Sequence, residues 1–341
     1  MPEVPAVAPP SEVNRPRTAQ PLVRIVSRNG RLILAFIILA ALLTVYIQRV
    51  PQFGPREERS VVNQGLPLAL AGFGQTVVVL TAGIDLSVGS MVGLTNSVAS
   101  RITNSESHDR VWLAALACLG IGALGGLING LIVAYGRLQP IIVTLATSSI
   151  FAGIALYVRP RPGGKFPSAT SQYWTGSMDF RGWPRGIVWL AIMTVIWLFF
   201  RRTRLATRII AIGSSEGAAF MSGVNVNRTK VAAYTISGLA AGACGFLLTV
   251  QTGNGNALAG QTYTLNSIAA VVLGGASLAG GSGTFLGTIA GAYTIALIPR
   301  VLFFYDVSQF YQQLLQGMVL LFAVGLGAVG VLRARNRLDK I

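Results

Sequence analysis

The chain has 341 residues, of which 52% are hydrophobic and only 11% are charged. Soluble domains carry roughly 25% charged residues, so this chain cannot cover a water-facing surface and needs lipid as its main solvent. Its formal net charge is +16, but the 27 Lys and Arg residues lie between long apolar runs. That distribution is typical of the positive-inside rule and argues against nucleic-acid binding.

The N-terminal segment, residues 1–30, is rich in Pro, Ala and Arg and has no apolar periodicity. It is predicted to be a disordered cytoplasmic tail. The apolar run 32–47 follows three arginines, as in a signal peptide, but the sequence 48–51 offers no small-x-small cleavage site. We therefore expect an uncleaved first spanning helix.

The apolar runs predict an all-α polytopic membrane protein with about ten transmembrane helices, some of them short or broken. The expected spans are 32–47, 65–82, 86–100, 111–135, 138–158, 186–200, 231–251, 264–279, 283–299 and 312–332. The third and eighth are short and interrupted by glycine. Residues 31–332 then form one transmembrane domain, and 333–341 form a basic tail.

The basic residues predict the orientation of these spans. With an even number of spans both termini lie on one side, and most Lys and Arg residues share that side if it is the cytoplasm. They are densest at the two termini and in the segment 201–230. One loop of the opposite side, 159–185, is basic as well.

The segment 201–230 is the longest polar stretch predicted on the cytoplasmic side. Ser214 or Ser215 is a suitable N-cap, Glu216 complements the helix dipole, and Gly223 is placed to end the helix as a C′ residue. A helix of about two turns is too short to be stable alone in water and needs a docking surface. The alternative is an ordinary connecting loop.

Two glycine-rich stretches, 81–90 and 273–284, resemble each other. Four positions match when they are aligned: Gly83 with Gly275, Leu86 with Leu278, Gly89 with Gly281, and Ser90 with Ser282. Broken helices at corresponding places are what many transporter folds use near their pathway. Neither stretch is a phosphate-binding loop, since the sequence contains no G-x-x-x-x-G-K-[S/T], and ATP hydrolysis by this chain is not predicted.

Asp85 is the one acidic residue embedded between apolar spans. A carboxylate at membrane depth is a candidate for function, although Asp85 could instead cap the third helix together with Ser87. A single such group argues against proton- or sodium-coupled transport. Uncharged polar side chains inside the spans could line a path for a polyhydroxylated solute or bridge neighbouring helices. The resulting candidates for translocation or gating are Asp85, Ser87, Asn63, Gln75, Asn129, Thr144 and Asn266.

Catalytic and metal-binding groups are sparse. Cys118 and Cys244 lie inside apolar runs and are expected to pack there, while His108 lies in a polar loop. No constellation of an integral membrane enzyme is visible, so no catalytic residue, metal or cofactor is predicted for this chain.

The stretch from Gly83 to Ser90 has the sequence GIDLSVGS. It resembles the signature of the ribose-type ABC sugar permeases. Further similar motifs follow in the same order within about 60–332: PIIVTL at 140–145, RTR at 202–204, SGVNV at 222–226, IAAVVLGG at 268–275 and GGSGT at 280–284. The chain departs from the family at 206–208, where it has Ala-Thr-Arg and many relatives have Phe-Gly and a further residue.

The resemblance implies an importer that works with partners. Two permease copies or paralogues would form the pathway, a tandem ATPase would bind ATP and Mg on the cytoplasmic side, and a periplasmic binding protein would deliver the sugar. The family's short helix docks into the ATPase, a role that falls here on Ser215, Glu216, Gly217, Ala218, Ala219, Phe220, Met221, Ser222 and Gly223. The location would be a bacterial inner membrane. The alternatives are a branched-chain amino-acid or nucleoside permease of the same superfamily, or a secondary transporter.

The basic loop 160–165 is a further departure from the family's pattern. The charges of Arg161 and Lys165 could suit an acidic patch of the binding protein.

Overall fold

The computed structural model describes residues 21–51, 53–103, 110–176 and 183–308, together with 310–312, 314–315, 317–318 and 321. The described part is almost entirely helical and contains no strand, only one isolated bridge between Gly163 and Gly255. His108 and the predicted tail 333–341 lie outside the described residues, as does most of the predicted span 312–332.

Twelve helices are formed within the described residues. They are α1 (Pro21–Arg49), α2 (Pro55–Val79), α3 (Val88–Ile102), α4 (Val111–Tyr135), α5 (Pro140–Val158), α6 (Ser168–Thr175), α7 (Gly186–Arg201), α8 (Arg204–Ser214), α9 (Glu216–Met221), α10 (Val226–Thr252), α11 (Gln261–Leu273) and α12 (Phe285–Phe303). The first nine predicted spans each coincide with one of these helices.

Five of the described helices are long and apolar enough to cross a membrane, and a sixth is obtained if α7 and α8 count as one bent span. The ten-span count therefore stays a prediction. The short helices account for much of the difference: α3 has 15 residues and α11 has 13. At 1.5 Å per residue they are about 20 Å long, against roughly 30 Å for a hydrocarbon core.

Several boundaries differ from the predicted ones. α1 begins at Pro21, so residues 21–30 of the predicted disordered tail are helical. α2 begins at Pro55, because a polar first turn with Glu57 and Glu58 suits a helix N-terminus without adding any apolar signal. α11 ends at Leu273, six residues before its predicted end, at the pair Gly274-Gly275.

α10 is the central helix and packs closely against α4. Glycines on both helices make this contact: a Cβ at Gly122 would lie 2.2 Å from the Gly238 carbonyl oxygen, and one at Gly238 would lie 2.1 Å from that of Gly122. Gly126 and Gly242 extend the same seam. Small residues let helices in a membrane approach to backbone contact, where dispersion forces hold them together.

The two glycine-rich stretches end helices in the same way. Ala82 and Gly275 both have a left-handed backbone, with φ of 62° and 88°. In each case the next residue donates to the carbonyl five positions earlier, Gly83 to Val78 and Ala276 to Val271, which is the Schellman pattern. The repeat predicted from sequence therefore has a structural counterpart, but Gly275 corresponds to Ala82 and not to Gly83.

The helix ends gather into two groups. One group, called the α9 end, comprises 80–87, 136–140, 201–230 and 274–284, and its parts contact one another directly. The other, called the opposite end, includes the start of α2, α6 and the ends of α10 and α12.

Candidate functional site

The short helix α9 lies on the surface of the α9 end. Ser215 is its N-cap and its side chain accepts from the Ala218 N–H at 3.4 Å. Gly223 follows its last turn with φ of 78°, and Val224 donates to the Ala219 carbonyl at 3.1 Å. The predicted caps Ser215 and Gly223 are thus confirmed; the alternative cap, Ser214, is instead the last residue of α8.

α9 is preceded by a further helix in a segment that was expected to be a polar connection. α8 turns by 75° from α7 and buries Ala206, Ile209 and Ile212, spaced three residues apart. Arg204 and Arg208 lie on its exposed side. This helix is amphipathic and, with 11 residues, too short to appear as a membrane span of its own.

Contacts with its own chain fix one side of α9. Ala219 is buried in a small apolar cluster with Ile212 and Val226. Glu216 forms an ion pair with Lys230 of α10, with both carboxylate oxygens 2.8 Å from the Nζ atom. α9 is therefore tied both to α8 and to the start of α10.

The other side of α9 is largely exposed. Phe220 and Met221 are 69% and 83% exposed, which is unusual for large apolar side chains next to a polar surface. A groove of about 540 Å³ runs beside them. It is lined by residues of α4, α5, α9 and α10, namely Val133, Ala134, Arg137, Leu138, Pro140, Glu216, Gly217, Phe220, Val226, Asn227 and Lys230.

Five of the seven candidates for translocation or gating come together in one buried cluster around the break between α2 and α3. Asp85 accepts from the Ser87 N–H at 3.0 Å, from the Ser87 hydroxyl at 2.6 Å and from the Ser237 hydroxyl at 2.8 Å. Gln75, in the amide orientation that satisfies both groups, pairs with the backbone of Asp85 at 3.1 and 3.3 Å. The Asn129 side chain donates to the Ser87 hydroxyl at 2.8 Å.

Thr144 completes this group, called the Asp85 cluster (Gln75, Asp85, Ser87, Asn129, Thr144 and Ser237). Its hydroxyl accepts from the Leu86 N–H at 3.1 Å. All six side chains are buried, so in this conformation they face one another and not an open path. The cluster fastens the non-helical segment 84–87 to α2, α4, α5 and α10.

The two remaining candidates lie elsewhere. Asn63 is on α2 at the opposite end and donates to the Thr175 carbonyl at 2.7 Å. It lines a polar groove of about 530 Å³ that also contains Arg56, Arg59 and Arg300. Asn266 lies on α11 and is partly exposed. Arg161 and Lys165 are exposed between α5 and α6.

Two members of these sites were not predicted from the sequence. Ser237 lies in a run of Gly and Ala residues on α10, where a single hydroxyl carries no signal of a carboxylate partner. In the sequence, Lys230 contributed only to the number of basic residues on the predicted cytoplasmic side. Its ion pair with Glu216, 14 residues away, forms because the chain turns between α9 and α10. In the described residues no group of three or more His, Cys, Asp and Glu side chains could hold a metal ion.

Comparison with known proteins shows to which family the chain belongs. Residues 59–324 match the family described as branched-chain amino acid transport system / permease component. The chain belongs to this family. It is a multi-pass protein of the inner membrane, and the predicted resemblance is confirmed.

Several relatives are similar over most of their length. The ribose import permease protein RbsC of Escherichia coli (strain K12) is 36% identical over 276 residues, covering 78% of this chain and 83% of that protein. RbsC of Bacillus subtilis (strain 168) is 38% identical, covering 75% and 79%. The galactose/methyl galactoside import permease protein MglC of Escherichia coli (strain K12) is 32% identical, covering 88% and 95%. No solved structure matches.

Proposed function

We propose that this chain is the permease subunit of an ATP-driven, binding-protein-dependent importer that carries a sugar of the pentose or hexose type. The observation that carries the proposal is α9, a capped helix whose Phe220 and Met221 side chains are exposed beside a groove. A partner that binds there would cover apolar surface that the described part of the chain leaves open. The relatives, named as ribose and galactose import permeases, support both the class of partner and the class of solute.

The partners and the topology belong to the same proposal. A tandem ATPase binds ATP and Mg and docks on α9, a second permease copy or paralogue completes the pathway, and a periplasmic protein delivers the sugar. Ten spans with both termini in the cytoplasm would place the α9 end in the cytoplasm. The exposed arginines 201, 202, 204, 208 and 228 around α8 and α9 support that side.

The candidate pathway residues take different roles in this proposal. The Asp85 cluster, being buried, acts in gating by holding the α2–α3 break. Asn63, in the polar groove of the opposite end, lies where a solute would enter. Asn266 remains a candidate for the wall of the path, which the second copy would complete.

One observation favours a second candidate for the solute. The description of the matched family names branched-chain amino acids. The sugar is preferred because the three relatives described above are ribose and galactose permeases. Competition between labelled ribose and unlabelled leucine for uptake would separate the two.

The Glu216–Lys230 pair provides the test of α9 as the docking element. Such a surface pair contributes about 0–1 kcal/mol, so Glu216→Lys should leave the fold intact. It would set two like charges against each other and change the docking surface, and Gly217→Trp would fill the groove that Gly217 lines. We expect both variants to lose ATP-driven uptake at least tenfold while the partner still hydrolyses ATP.

The control for this test is the double variant Glu216→Lys/Lys230→Glu, which restores the ion pair with reversed polarity. Partial recovery of uptake would show that the position of α9 matters, and continued loss would indicate that Glu216 itself meets the ATPase. Normal uptake in both Glu216→Lys and Gly217→Trp would contradict the assignment of α9.

A further inference from the structure

The two helix breaks of the α9 end touch each other at one point. The Gly281 N–H donates to the Leu80 carbonyl oxygen at 3.1 Å. Leu80 is the residue that follows α2, and Gly281 lies in the turn between α11 and α12. This contact, called the crossing, joins breaks that are about 200 residues apart in the sequence.

The last turn of α8 lies directly against the crossing. A Cβ on Gly213 would be 1.9 Å from the Leu80 carbonyl oxygen and 2.5 Å from the Gly281 nitrogen. A Cβ on Gly281 would in turn be 2.5 Å from the Ser214 hydroxyl, and its own φ is 70°. Real side-chain carbons do not approach backbone so closely, so only glycine at 213 allows α8 to touch both breaks.

α8 and α9 are built to move together. Ser215 ends α8 and starts α9: its N–H donates to the Ala211 carbonyl at 3.0 Å while its side chain caps α9. Ile212 of α8 and Ala219 of α9 share one buried cluster. A force applied to α9 therefore reaches Gly213 without passing through a flexible linker.

Each break leads into its own set of packed helices. The first break starts α3, which packs against α4, α5, α10 and α11, and the second starts α12, which packs against α1, α2 and α11. A displacement at the crossing therefore reaches both the helices packed around α3 and those packed around α12. Ala82, the left-handed residue of the first break, is itself within 2.8 Å of where a Gly280 Cβ would lie.

We propose that Gly213 is a positioning residue for transport, which passes the movement of α9 to the α2–α3 and α11–α12 breaks through the Leu80–Gly281 crossing. This inference rests on the proposed function, since it needs a partner that moves α9. It assigns the coupling to a partly buried backbone contact, separate from the surface to which the ATPase binds.

The test uses the full complex of permease, ATPase and binding protein in proteoliposomes, with radiolabelled ribose as the solute. For Gly213→Ala we expect the ATPase to remain bound and active, but the ribose carried per ATP hydrolysed to fall at least tenfold. The matched control is Gly153→Ala on α5, where a Cβ meets nothing within 4 Å, and it should behave like the unmodified complex. A Gly213→Ala complex with an unchanged ratio overturns the inference.

A second measurement covers the case in which Gly213→Ala does not assemble. It follows hydrogen–deuterium exchange of the Gly281 N–H, which donates to the Leu80 carbonyl oxygen in the unmodified complex. Because α8 and both breaks move as one unit in this proposal, this amide should stay protected when ATP is added and uptake begins. Exchange of the Gly281 amide as fast as that of an unbonded amide in the ATP-driven complex would overturn the inference.

The unmodified complex separates this inference from the proposed function. If it carries neither ribose nor galactose in an ATP-dependent manner, the proposed function fails. If it carries one of them while Gly213→Ala keeps the normal ratio, only the role of Gly213 fails.

Discussion

Asp85 is a buried carboxylate that accepts three hydrogen bonds from neutral groups, two from Ser87 and one from Ser237. Ser87 is the N-cap of α3 and no side chain caps that helix, so Asp85 does not take the predicted cap role, and its gating role stays a prediction. Asp85 accepts an amide next to the helix start, and it also connects that start to α10. The same bonds that satisfy the carboxylate therefore hold the break in place.

Removal of the carboxylate should loosen this break. Asp85→Ala leaves the Ser87 and Ser237 hydroxyls without their acceptor in a buried site, and we expect a loss of roughly 1.5–3 kcal/mol in stability. The measurement is the thermal unfolding of the purified protein in detergent. Glu58→Ala, at an exposed position on α2, is the control, with an expected effect within about 0.5 kcal/mol. Equal unfolding temperatures for the two variants would show that Asp85 does not hold the break.

For individual helices, the sequence predicted the ends correctly where a local pattern of residues marks them. The span 111–135 agrees with α4 at both ends, because its apolar run is long and bounded by polar residues. The caps of α9 follow from Ser215 and Gly223, whose chemistry is local. α8 was missed because its helical character appears only in the spacing of Ala206, Ile209 and Ile212 on the buried side.

The α4–α10 pair depends on a contact that no single helix reveals. Gly122 faces α10, whereas a Cβ added to Gly120 of the same helix would meet nothing within 4 Å. Gly122→Ala must push the two backbones apart, and we expect it to cost about 1–3 kcal/mol. Gly120→Ala should be neutral or slightly stabilising, since alanine favours helices. Thermal unfolding of the two variants side by side is the measurement, and a Gly122→Ala variant as stable as Gly120→Ala would contradict the packing.

At the scale of the whole molecule, composition was sufficient to predict a helical membrane protein, and the family match confirms the resemblance seen in the motifs. Which polar residues meet could not be predicted, because Gln75, Asp85 and Asn129 come from different parts of the chain and their distances depend on the packing of α2, α4 and α10. Residues placed in one functional group from sequence therefore separate into a buried cluster, a groove at the opposite end and a partly exposed site on α11.

In the proposed function, this chain is one subunit of a transporter. The ATPase supplies the energy for transport and the binding protein supplies the specificity for the solute. α9 and the groove beside it are the surface for the energy-supplying partner. The crossing of Leu80 and Gly281 links that surface to the helices that would open and close the path.

The most direct test is the uptake of labelled ribose into proteoliposomes that contain this chain, its ATPase and its binding protein. We expect uptake that requires all three proteins and ATP, and that persists when proton and sodium gradients are abolished. Uptake by this chain alone under an ion gradient, with no dependence on ATP, would contradict the proposed function.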